Sequence, residues 1–198
     1  RVSVASEVCG TCHGEPPRHG RYQQWQESGH GNFALAEARG TRSSCANCHS
    51  GQGFIKWVPK ALAGNSGSLS SGDVTWDSST VQPQTCVTCH DPHDVGTTSG
   101  NATNTTVRIF GDTPLLSGGF QASDVGGGAI CMTCHNSRRG LRNDATFDGL
   151  GDPERAPHGS YQTDMLMGEN AFGINVGVRG PHSFIADTCV TCHMRATP

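Results

Sequence analysis

Apolar positions along this chain rarely fall into register. "RYQQWQES" (21–28) and "NFALAEARG" (32–40) each space their apolar residues for about two helical turns, and the second stops at Gly40. "ADTCVTCHM" (186–194) predicts a further turn of helix. Long intervening stretches show neither a helical nor an alternating period. "LAGNSGSLSSGDVTWDSSTVQP" (62–83) and "VGTTSGNATNTTVRIFGDTP" (95–114) are rich in Gly, Ser, Thr and Asn and read as loops, with one short hairpin at "TTVRIF". The pattern predicts a mostly irregular chain with a few short helices and minimal strand.

Composition sharpens the problem. Leu, Ile, Val and Phe together number 33 of 198 residues, about 17%, below what a packed globular core normally uses. Such a chain offsets its conformational entropy poorly by burying side chains alone. Its formal net charge of −3 is too small for charge-driven disorder. Something other than side chains is expected to fill the centre.

The cysteines supply it. All ten fall into five C-x-x-C-H units: Cys9-Cys12-His13, Cys45-Cys48-His49, Cys86-Cys89-His90, Cys131-Cys134-His135 and Cys189-Cys192-His193. These are numbered units 1 to 5 below. C-x-x-C pairs also occur in zinc sites, redox pairs and disulfide frameworks, but none of those needs a histidine directly after the second cysteine. C-x-x-C-H is the attachment signature of c-type haem: each thiol adds to a porphyrin vinyl group, and the histidine ligates the iron from the proximal side. Five covalently bound haem c groups are therefore expected, with the cofactors as the core and the polypeptide wrapped around them. The units start at 9, 45, 86, 131 and 189, so spacings of 36, 41, 45 and 58 leave roughly 40 residues per haem. No internal linker stands out, and 1–198 reads as a single pentahaem domain.

Five further histidines remain: His19, His30, His93, His158 and His182. Five irons with two histidines each would use them all, as distal ligands. His93, three residues past His90, would reach a neighbouring haem more easily than its own. His19, in the Pro- and Arg-rich loop "EPPRHGRY", is the one expected to be exposed or to serve another subunit. Met165 and Met167 are the alternative sixth ligands; Met132 and Met194 lie too close to their own proximal histidines to turn to the distal side.

Other classes recede. No apolar run approaches the roughly 18 residues of a membrane span, and no basic block or nucleic-acid motif is present. Twelve arginines against Lys56 and Lys60 suit pairing with haem propionates. Asn101 and Asn104 match the N-glycosylation pattern only weakly. Haem attachment outside the cytoplasmic membrane implies a secreted chain with its signal peptide removed. An extracellular or cell-surface location is expected, with the periplasm as the alternative.

"WQESGH" (25–30), "CVTCHDPH" (86–93), "APHGSYQTDMLMG" (156–168) and "GPHSFIADTCVTCHM" (180–194) make the chain resemble multihaem c-type cytochromes. The resemblance is specific mainly at the haem units. Two subfamilies fit: small subunits of extracellular cytochrome filaments, and the periplasmic pentahaem donor of cytochrome c nitrite reductase. The chain departs from the catalytic reductase, since no C-x-x-C is followed by Lys. The resemblance implies bis-histidine haems that transfer electrons. It implies a head-to-tail homopolymer or other redox proteins and extracellular acceptors as partners. A diffusing shuttle and a small reductase with one open haem are the alternatives.

Overall fold

The computed structural model describes residues 9–11, 20–92, 107–138, 158–170 and 177–194. Among them the architecture is helix and coil with no strand, as the pattern predicts. Eight short α-helices carry it: α1 Arg21–Glu27, α2 Phe33–Arg39, α3 Ser43–His49, α4 Gly51–Leu62, α5 Cys86–Cys89, α6 Gly128–Met132, α7 Gln162–Met167 and α8 Cys189–His193. None is long and apolar enough to cross a membrane.

Two of these helices start where a side chain satisfies one of the first free amides. Asn32 Oδ1 accepts from Leu35 N at 3.0 Å to open α2. Buried Ser50 Oγ accepts from Gly53 N at 3.1 Å to open α4. α1, α2 and α8 lie within the stretches the pattern assigned to helix. The longest helix, α4, is one the pattern reading misses. Its segment "GQGFIKWVPKAL" holds two glycines and a proline, residues that normally punctuate helices. Yet Phe54, Trp57, Val58 and Ala61 occupy i, i+3, i+4 and i+7 and are all buried. Gly53 is required there: a Cβ would stand 2.2 Å from the Ala46 carbonyl oxygen, so α4 crosses α3 at backbone contact.

These side chains join Leu69, Ile109, Leu116, Phe120, Val125, Ile130, Met132 and Met167 in an apolar core. Cofactors are expected as the core with the polypeptide wrapped around them; a small polypeptide core also exists beside the C-x-x-C-H units. Cys89, Cys131, Cys134 and Cys189 pack against its edge, with Val74, Trp76 and Leu166. Residues 111–126 fold back on themselves through Gly111 N to Gly126 O at 3.0 Å, Thr113 N to Ala122 O at 2.9 Å and Leu116 N to Phe120 O at 2.8 Å. The hairpin expected at 105–110 falls partly outside the described residues. Its described part gives only an antiparallel bridge between His90 and Val107.

Candidate haem-binding sites

Each described unit sits on a helical turn, which places cysteines three residues apart on one face. Unit 2 ends α3, unit 5 forms α8, unit 3 forms α5, and Cys131 of unit 4 lies in the last turn of α6. His90 N bonds Cys86 O at 3.0 Å and His135 N bonds Cys131 O at 3.0 Å, so each histidine leaves the turn from a fixed point. Cys9 of unit 1 is helical, while Cys12 and His13 lie outside the described residues, as do His19 and His93. None of the described cysteines is in a disulfide.

Two of the expected proximal histidines stand opposite expected distal ones. The rings of His49 and His158 are 6.1 Å apart between centroids, inclined at 58°. Those of His135 and His30 are also 6.1 Å apart, at 73°. A metal held between two imidazoles in line, with bonds of about 2 Å, sets their centres about 6 Å apart. A tetrahedral ion would draw them to about 5 Å. Both separations suit two imidazoles that would hold one metal between them, and the adjacent C-x-x-C thiols would supply the covalent attachment of a haem c. His182 and His193 are both exposed, and neither stands opposite another described imidazole. Met167 is packed in the core and Met165 is exposed.

Burial lowers the His49, His158 and His30 pKa values. Arg138 lowers His49 and His158 further, and His135 adds to the effect on His30. Neutral imidazole is the ligand form.

His158 and His30, the expected distal ligands, are held by neighbours that the pattern reading did not single out. Ser160 Oγ lies 2.9 Å from His158 Nδ1 and donates to Cys134 O at 3.3 Å and Asn136 O at 3.2 Å. With its proton on those carbonyls, the hydroxyl accepts from Nδ1–H, which leaves the Nε2 lone pair for a metal. His30 follows α1 in a turn pinned by Ser28, whose hydroxyl bonds Trp25 O at 2.7 Å and accepts from His30 N at 3.2 Å. Trp25 Nε1 anchors that helix on Gln84 O at 2.6 Å, just before unit 3.

Buried Asp164 locks α7 to unit 4. Its carboxylate accepts from Ser137 N at 2.8 Å, Ser137 Oγ at 2.6 Å and Asn170 Nδ2 at 3.0 Å. Asp164→Ala strands two buried donors, Ser137 N and Oγ, while Asn170 Nδ2 keeps Gly118 O, so the folded protein is expected to lose about 2–3 kcal/mol, read from the denaturant midpoint. Asp164→Asn, which keeps one acceptor oxygen, is expected to lose less.

The units also touch one another. Cys134 Sγ bonds Asn47 O at 3.9 Å and Cys48 Sγ bonds Thr133 O at 4.0 Å. The proximity of the two thiols lowers the Cys48 pKa and raises that of Cys134. Cys131 and Cys189 form a like pair, the Cys131 thiol pushed up and the Cys189 thiol down to about 6. Cys86 is raised to about 11 by burial and by Cys9. No family model, curated protein or solved structure matches the chain.

Proposed function

We propose that this chain is an electron-transfer protein that binds five c-type haems through units 1 to 5. The observation that carries the reading is the pair of 6.1 Å imidazole separations at His49–His158 and His135–His30, each beside a C-x-x-C pair. Bound haem c would supply a one-electron iron couple at each site. The chain's own residues would do the rest. His49 and His135 would hold the proximal positions; His158 and His30 would close the distal ones, leaving no place for a substrate. Ser160 would fix the His158 tautomer. Arg138 supplies positive charge beside the site of unit 2 and suits a propionate. For units 1, 3 and 5 the distal ligands would come from His19, His93 and His182. The expected assembly is a head-to-tail polymer working outside the cell, with a diffusing periplasmic carrier as the alternative.

Intact mass and oxidised-state electron paramagnetic resonance test this together. Five haems per chain and only low-spin ferric signals are expected. Absence of haem would sink the reading, and a stoichiometric high-spin signal would turn it toward a reductase with an open site. Negative-stain microscopy of the native protein separates filament from particle.

A further inference from the structure

Units 2 and 4 touch directly although unit 3 lies between them in the chain, and unit 5 joins unit 4 on its other side. On one side, unit 4 meets unit 2 through the reciprocal contacts of Cys48 Sγ with Thr133 O and Cys134 Sγ with Asn47 O. His158, which faces His49 of unit 2, is hung on unit 4: its amide bonds Ser137 O at 3.2 Å, and Ser160 ties it to the carbonyls of Cys134 and Asn136.

On the other side, the turn before unit 5 is wedged into the glycines that open α6. Gly127 N donates to Asp187 Oδ1 at 2.7 Å and Thr188 Oγ1 donates to Val125 O at 3.1 Å. A Cβ at Gly128 would lie 1.8 Å from Thr188 Oγ1. Asp187 and Thr188 take positive φ values of 57° and 39°, costly for a β-branched residue and sustained only where the surroundings impose it. Unit 3 approaches the same place. Arg108 fastens it through Cys89 O and Val87 O, both at 2.9 Å, and the next residue, Ile109, enters the core that Cys89, Cys131, Cys134 and Cys189 share. α6 is largely buried, whereas α8 buries none of its residues.

We infer that unit 4 is the junction between units 2 and 5, so that coupling between groups attached at those two units runs through unit 4. This rests on the proposed haem attachment and adds to it a connectivity that the chain order does not give.

Excitonic coupling between porphyrins falls with the cube of their separation, so circular dichroism in the Soret band reports close neighbours. Haem count by mass is read beside it. The wild type is expected to carry five haems and a two-lobed signal. Removing unit 4 with Cys131→Ser and Cys134→Ser breaks its contacts with both unit 2 and unit 5 and should cost clearly more of that signal than removing unit 5. Removing unit 5 with Cys189→Ser and Cys192→Ser should cost only a minor part. Gly128→Val, which touches no attachment residue, should keep five haems and lose about as much signal as removing unit 5. It decides the matter should the unit 4 variant lose more than one haem.

A wild type without haem defeats the parent reading. A wild type with five haems overturns the junction alone if it lacks the two-lobed signal, if unit 5 removal costs as much as unit 4 removal, or if Gly128→Val leaves the signal unchanged.

Discussion

A chain with its ten cysteines replaced by serine is expected to show no cooperative thermal transition. The reason lies in the balance between what is buried and what must be ordered. Fixing one residue's backbone costs about 1–2 kcal/mol, and the chain has few large apolar side chains to set against that. The core around Phe54 and Trp57 serves mainly α3, α4 and α6. Helices are expected to be marginal on their own: α4 has 12 residues and α1, α2 and α3 have seven each, at or below the ~12–15 residues an isolated helix needs. No residue of α8 is fully buried, so beyond the turn at Asp187 and Thr188 little but an attached group would hold unit 5 in shape. Circular dichroism of the serine variant should give a gradual melt and a weak aromatic signal, against a sharp transition for the haem-loaded protein. A sharp native-like melt of the serine variant would show that the apolar core suffices, and would reduce the haem units to passengers on an ordinary fold.

How much of this was legible beforehand depends on whether the signal was local. C-x-x-C-H is local, since a helical turn brings its thiols together wherever the turn sits; the five units could be read directly. α1 and α2 were legible for the same reason, their apolar spacing lying within a few residues. α4 was not. Its buried face has helical spacing, but Gly51, Gly53 and Pro59 argue against a helix until α3 is seen crossing it closely enough to exclude a Cβ at Gly53. The partners of the distal histidines were illegible for a different reason. His30 meets His135 and His158 meets His49 across more than a hundred residues of chain. A count of histidines could say how many ligands to expect but not which faces which. Ser160 and Asp164 lie within the phrase at 156–168, but only their contacts reveal that one holds the His158 ring and the other ties α7 to the backbone after unit 4.

His158→Ala is expected to open one site, and the site should be that of unit 2. Two features of the structure pull the expectation in opposite directions. By attachment, His158 belongs to unit 4, because its amide and its Ser160 partner are both bonded to the backbone around Cys134. By direction, it belongs to unit 2, because its ring faces His49 at 6.1 Å, while His135 is already faced by His30 at the same distance. Axial ligation follows the ring and not the backbone. One haem per chain should therefore become high-spin in the ferric state and bind carbon monoxide when reduced, with the haem count still five. Adding Cys45→Ser and Cys48→Ser should abolish that high-spin signal together with one haem. His158→Met tests the same position without opening it. A thioether in place of imidazole raises one reduction potential, a shift on the order of 0.1 V within the roughly 0.8 V that axial ligands span. A His158→Ala protein that stays wholly low-spin would mean that His158 ligates no iron. A high-spin signal that survives loss of unit 2 would mean that its ring serves another site, and that the 6.1 Å approach to His49 is a packing contact.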